Sequence, residues 1–260
     1  VKYNTIETRR EKNVVTVALN RPDVHNAMNE QLMKELTLIF KELNNDENVR
    51  AVVLTGNGKS FCSGADLNWM KSMISYSKEE NIKDSKLLLD LFESIYNCDK
   101  PVIGRINGAA FGGGLGLIAV CDLSVALPDL KFAFSEVKLG LIPAVISTFV
   151  VKRIGIANMK RLFITGERFD SNHAKEIGLV DYVVPENEFD LTVKKYVELV
   201  CSSGPNAVKE IKKLTNNYEN LDEKNYKKFT VEKIAELRVS DEGQEGVSAF
   251  LEKRKPRWGC

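Results

Sequence analysis

The sequence predicts an α/β fold in which strand and helix units alternate over residues 1–202, followed by a helical region over 203–260. Three observations carry that expectation. The β-branched runs VVTVAL (14–19) and AVVLT (51–55) are closed by turn residues, Asn20-Arg21-Pro22 and Gly56-Asn57-Gly58, and read as buried strands. Between them NEQLMKELTLIFKEL (29–43) sets Leu32, Leu36, Ile39, Phe40 and Leu43 on one helical face behind an Asn cap candidate, which implies a parallel crossover. After Pro205 the texture changes to charge-rich helical segments over 207–216, 226–237 and 243–254, as expected of helices packed on the main body or on a neighbouring subunit.

The middle of the chain repeats the pattern. A helical segment over 82–96 precedes the strand PVIGRI (101–106), a short helix over 113–119 and a strand over 123–126, with no exact sequence repeat.

A chain of 260 residues with 43% hydrophobic content can build a substantial core. Its 37 Lys and Arg nearly balance 36 Asp and Glu, so no overall field suits nucleic acid and any anion site is local. Five scattered cysteines (Cys62, Cys98, Cys121, Cys201, Cys260), no C-x-x-C and only two histidines point to a reducing compartment and to no metal site. Residues 1–12, VKYNTIETRREK, hold no apolar signal core, and the most apolar stretch, 111–127, is interrupted by Asp122 and by glycines. The expectation is a cytoplasmic protein with no membrane span; a removed leader would make the mitochondrial matrix the alternative.

The stretch GAAFGGGLGLIAVCD (108–122) sets three consecutive glycines and then Leu-Gly in an apolar segment, an entropic cost that an ordinary core helix avoids. NGKS (57–60) imitates the end of a phosphate loop, yet that loop needs a glycine where Val53 stands. Gly114, Gly116 and Ala119 fit G-x-G-x-x-A, but the preceding strand is expected to end near Ile106, too early for a dinucleotide turn. Glycine content alone leaves two readings open: close helix packing, or backbone N–H groups at a helix start presented to an oxyanion. FCSGADLNWM (61–70) adds a second unobstructed donor, because Ser63, Gly64 and Ala65 stand just before an expected helix.

Five segments, LNRPDVHNAMN (19–29), FCSGADL (61–67), INGAAFGGGLGLIAVCD (106–122), FSEVKLGLIP (134–143) and EGVSAFLEKRKP (245–256), resemble the crotonase superfamily of enoyl-CoA hydratases and isomerases in order and spacing, over essentially the whole chain. The resemblance implies a spiral of ββα turns with a C-terminal helical region that assembles the chain as a homotrimer or a dimer of trimers. It implies an acyl-CoA thioester substrate, no cofactor beyond the coenzyme A which that substrate carries, and no membrane or nucleic-acid partner. It also implies an oxyanion hole made by the N–H groups of Ala65 and Gly113, in which one donor is worth about 3 to 4 kcal/mol of barrier. Typical hydratases of the superfamily carry two catalytic glutamates; here the second is kept as Glu136 and Gly116 stands in place of the first. In an apolar pocket Glu136 has a raised pKa suited to proton transfer near neutral pH, whereas outside that context it reads as a helix-start or surface charge.

For the acyl-CoA, the resemblance implies contacts from Arg21, His25, Asn26 and Ala27, from Ser63, Asp66 and Leu67, from Gly112, and from Lys253 with Arg254 and Lys255 at the phosphates. Outside it His25 reads as a loop residue with no catalytic role, and the three basic residues as a solvated helix end complementing the dipole. Gly116 is expected to widen the pocket for a β-methyl or carboxymethyl substituent. Trp69 is expected to line the acyl pocket, with core packing as its alternative, and a helix N-cap is the alternative for Asp66. Asp122 and Cys121 read as structural. SGADLNWM, AAFGGGLGLIAVCD and SEVKLGLIPAVIS most resemble the methylglutaconyl-CoA hydratase branch, so the expected activity is addition of water to a branched or dicarboxylic 2-enoyl-CoA. Δ3-Δ2 enoyl-CoA isomerisation by a single glutamate is the alternative, and a catalytically weak CoA-binding scaffold is the third reading.

Overall fold

The computed structural model describes residues 3–258, apart from the side chain of Glu219. Its charged opening stretch is a strand, β1 (Ile6–Glu11), folded antiparallel on β2 (Val14–Leu19) with Ile6 opposite Leu19. Helix α1 (Glu30–Asn45) begins where Asn29 Oδ1 accepts from Leu32 N at 2.9 Å, and buries the expected face of Leu32, Leu36, Ile39, Phe40 and Leu43. It delivers the chain to β3 (Ala51–Gly56), parallel to β2 and buried at every position, as a strand covered on both faces must be.

From β3 the chain makes three similar turns, each a strand of the main sheet, a short strand of a second sheet and then helix. The first holds β3, β4 (Ser60–Cys62), α2 (Leu67–Met73) and α3 (Lys78–Tyr96); the second holds β5 (Val102–Ile106), β6 (Ala109–Phe111) and α4 (Gly113–Ala119). The third holds β7 (Leu123–Ala126), β8 (Phe132–Ala133) and α5 (Ala144–Thr165). Helix α6 (Ser171–Glu176), the strand β9 (Tyr182–Val183) and α7 (Glu186–Cys201) close the body. The main sheet runs β1-β2-β3-β5-β7-β9 and the second β4-β6-β8, parallel throughout after the first hairpin. This is the expected spiral of ββα turns. Three further helices, α8 (Pro205–Asn220), α9 (Glu223–Val239) and α10 (Asp241–Leu251), follow the turn after Cys201.

Phe40, Phe61, Phe92, Phe132 and Phe134 are fully buried in the principal core. Asp122 ties the body to the C-terminal helices, because its Oδ2 accepts from Val102 N at 2.7 Å and from Lys212 Nζ at 2.6 Å. Cys62, Cys98 and Cys121 are buried free thiols, and burial pushes the Cys62 and Cys121 thiols up to about 12, which makes them inert. Cys201 is disulfide-bonded, which removes the ground for reading a reducing compartment from scattered cysteines; Cys260 lies outside the described residues. No helix among the described residues is long and apolar enough to cross a membrane.

Candidate active site

Strand β6 ends at Phe111, and the next residue, Gly112, has a φ of 49° and ψ of −118° that suit glycine and almost nothing else. A Cβ on Gly112 would stand 2.8 Å from Glu136 Oε1 and 3.3 Å from Glu136 Cδ, so the carboxylate rests against the backbone that opens α4. Glu136 begins a short 3-10 turn just after β8, the neighbour of β6 in the second sheet. Its Oε2 is closed off from solvent and has no hydrogen-bond partner among the described residues. Burial pushes the Glu136 carboxyl above its ordinary pKa, and its own backbone N–H, pulling the other way, does not offset that.

Strand β4 lies beside β6 and leads into the turn that carries Ala65. A Cβ on Gly64 would meet Phe111 O at 2.9 Å and Gly112 N at 3.9 Å, which places the two turns side by side. Ala65 forms a parallel bridge with Met28: Met28 N donates to Gly64 O at 2.7 Å and Asp66 N donates to Met28 O at 2.8 Å. Because Gly64 O faces Met28, peptide planarity turns the N–H of Ala65 away from that bridge. Met28 also backs the other turn, with its Sδ and Cε each 3.1 Å from where a Cβ on Gly113 would be. Ala65 is exposed and Gly113 half-buried, and among the described residues neither N–H donates to a protein acceptor. Two unpaired amides on adjoining turns and a carboxyl of raised pKa are groups that can hold charge on an oxygen and move a proton beside it.

Gly116 does not belong to this opening. A Cβ there would press on Ile146 Cγ2 and stand 2.8 Å from Phe92 Cε1 and Cζ, and those side chains are 2% and 0% exposed. Hydrocarbon fills the space beside Gly116, so the expected widening of the pocket does not occur. Gly114 is packed as closely, against Cys62 O and, at 3.0 Å, Cys62 Cβ. The glycine run therefore divides: Gly112 and Gly113 serve the opening, while Gly114 and Gly116 serve packing. The strand before them ends at Phe111 rather than near Ile106, so spacing does not argue against a dinucleotide turn. The packing does, since it leaves no room for a pyrophosphate at Gly114 and Gly116.

Several residues expected to touch coenzyme A are engaged within the protein. Arg21 donates through Nη1 to Ala27 O and through Nη2 to Asp66 Oδ2, the latter at 2.8 Å. Asp66 Oδ1 caps α2, accepting from Asn68 N at 2.8 Å and Trp69 N at 3.4 Å. Burial opposes its ionised form, but the bonds from Arg21 and the two amides prevail and hold its carboxyl below the usual range. Asn26 is 0% exposed; its Oδ1 accepts from Arg21 N, and its Nδ2 donates to Asn57 O and Ser60 O. Arg21, Asn26 and Asp66 thus build the loop, with the Asn26 amide and the Asp66 carboxylate taken up inside the protein; the cap reading of Asp66 holds. Ala27 is buried, His25 Nδ1 lies 3.0 Å from Ser60 Oγ, and Ser63 Oγ donates to Val24 O at 3.4 Å.

Leu67 is 74% exposed beside Ala65, and Trp69 is half-buried with its indole N–H on Asp84 Oδ1 at 3.0 Å. Lys253 is exposed at the end of α10, with a φ of 53°, and the neighbouring Arg254 is gripped by Glu245 Oε1 and Oε2 at 2.7 and 3.0 Å. That pairing withdraws Arg254 from the expected phosphate contacts. Met28, Phe92 and Ile146 shape this region, and in the sequence each reads as ordinary core.

A parallel ββα spiral with free amides on two adjoining turns and a carboxylate held against the start of one helix defines a crotonase-fold protein equipped for acyl-thioester chemistry. The family described as enoyl-CoA hydratase/isomerase matches residues 9–260, and the chain belongs to it as one of its enzymes. The short-chain-enoyl-CoA hydratase of Clostridium acetobutylicum is 34% identical over 257 residues, 98% of this chain and 97% of that one. The mitochondrial Delta(3,5)-Delta(2,4)-dienoyl-CoA isomerase of Dictyostelium discoideum is 31% identical over 274 aligned residues, covering 100% and 92%. The crystal structure of an enoyl-CoA hydratase from Shewanella pealeana superimposes with a TM-score of 0.95 at 35% identity, covering 99% of this chain and 97% of that chain.

Proposed function

We propose that the enzyme adds water to a branched or dicarboxylic 2-enoyl-CoA such as 3-methylglutaconyl-CoA, with Glu136 as its single acid–base residue. The observation that carries this role is Glu136 itself, its Oε2 buried and unpaired and its Oε1 against Gly112. The amides of Ala65 and Gly113 hold the thioester oxygen. Glu136 takes a proton from water as its oxygen bonds to C3; the electrons of the double bond pass to the carbonyl as an enolate, and Glu136 returns the proton to C2. Each amide contributes about 3 to 4 kcal/mol to holding that charge, and the raised pKa of Glu136 suits both directions of proton transfer. The branched substrate is supported by the segments SGADLNWM, AAFGGGLGLIAVCD and SEVKLGLIPAVIS. Leu67, open beside Ala65, offers apolar surface to the acyl group.

The packing at Gly116 favours a second reading. With Phe92 and Ile146 in that wall, the space beside Gly116 is hydrocarbon and holds no second carboxylate among the described residues, and Glu136 alone suffices to carry a proton from C2 to C4 of a 3-enoyl-CoA. Glu136 turned toward Gly112 rather than to solvent counts against a mere scaffold. The same proposal includes a homotrimer or dimer of trimers built through residues 203–260, where Val239, Phe250 and Leu251 are 78%, 82% and 73% exposed. It also includes a phosphate contact from Lys253 of the same or a neighbouring subunit, no cofactor beyond the substrate's coenzyme A, and a cytoplasmic or matrix location. The test is mass spectrometry of acyl-CoAs after incubation in deuterated water with 3-methylglutaconyl-CoA and, separately, with a 3-enoyl-CoA. Gain of one water by the first supports the hydratase; double-bond migration in the second without hydration of the first replaces it with the isomerase.

A further inference from the structure

We infer that Arg21 and Asp66 are positioning residues that fix the direction of the Ala65 amide, an inference that rests on the reading of this amide as an oxyanion donor. A peptide N–H lies in one plane with the preceding carbonyl and points opposite to it, so whatever holds Gly64 C=O also aims Ala65 N–H. Gly64 O is held by Met28 N at 2.7 Å, and Asp66 N returns a bond to Met28 O at 2.8 Å. Arg21 grips this bridge from both sides. One of its nitrogens binds the carbonyl of Ala27, the residue before Met28, and another binds the carboxylate of Asp66, the residue after Ala65.

The ion pair is nearly closed to solvent, with side-chain exposures of 18% for Arg21 and 8% for Asp66. Asp66 spends its other oxygen on the first amides of α2, so the helix start and the Ala65 turn move as one piece. A guanidinium suits this duty because its rigid fork reaches two acceptors at once, which an ammonium does less well. Both Asp66 carboxylate oxygens are taken up within the loop, and the contribution of the pair to turnover is geometric.

The test uses the full chain with Arg21→Met, Arg21→Lys, Asp66→Asn and the double variant Arg21→Met/Asp66→Asn. Steady-state kinetics are combined with the infrared carbonyl stretch of bound butanoyl-CoA labelled with carbon-13 at C1, which is unreactive to hydration. Misaiming the amide lowers kcat by about ten- to a hundredfold and leaves KM within about threefold. The stretch, lowered in the parent protein on binding, moves back toward its free value, and the double variant is no worse than the weaker single one, since both cut one link. Asp66→Asn keeps an oxygen for the helix cap and reads the same effect should Arg21→Met fail to fold. A raised KM with kcat and stretch unchanged would make Arg21 a direct coenzyme contact and overturn the inference. A parent protein that shows no carbonyl shift overturns the oxyanion reading and this inference with it; a shift retained in every variant overturns the positioning role alone.

Discussion

Glu136 and Gly112 are in such close register that a methyl group on Gly112 would stand 2.8 Å from Glu136 Oε1. Glycine at 112 thus meets two demands together, a backbone φ of 49° and an open face for the carboxylate. Gly112→Ala is expected to displace Glu136 and twist the amide of Gly113. Turnover should fall by about 10²-fold, and stability by about 1–3 kcal/mol from the strained backbone. Steady-state kinetics and thermal melts of the variant check both.

Burial raises the Glu136 pKa, so the folded state holds that proton more tightly than the unfolded chain does. Stability therefore falls as pH rises from the ordinary carboxylate range through the raised folded value. Glu136→Gln removes the proton and the charge. Its melting temperature should exceed the parent's above that window and approach it below, in melts from about pH 4 to about pH 9. Its turnover should drop by about 10²- to 10⁴-fold, as for the loss of a general acid–base.

Gly116 lies against Phe92 and Ile146, so a side chain there overpacks the core instead of narrowing a pocket. Gly116→Ala should lower stability by about 1–3 kcal/mol, read by denaturant unfolding. The ratio of kcat/KM between a straight-chain and a β-methyl enoyl-CoA should stay unchanged; a shift in that ratio would restore Gly116 to the substrate pocket.

What could be read in the sequence follows from how much local pattern each element carries. Helix α1 shows its buried stripe, and β2 and β3 their β-branched runs, because burial repeats along each of them. Strand β1 buries only Ile6, and β4, β6 and β8 are two or three residues long, so no period is available to mark them. At the site the residue types were visible but their partners were not. Arg21 and Asp66 are 45 positions apart, and only the fold shows that their side chains pair with each other. Gly116 is the clearest case. An absent side chain can mean an opening or a place taken by a neighbour, and here Ile146, from another helix, takes it. Glu136 sits in a single 3-10 turn with no periodic signal, so the sequence marks it through the resemblance alone.

The central claim is that Glu136 moves the proton at C2 of a thioester held by the Ala65 and Gly113 amides, whichever reaction follows. Its most direct test is α-proton exchange of butanoyl-CoA in deuterated water, which needs neither a double bond nor an added water. The parent protein should incorporate deuterium at C2, and Glu136→Gln, shown to be folded by its melting transition, should not. Exchange by Glu136→Gln at the parent's rate would contradict the account and move the proton transfer to another group.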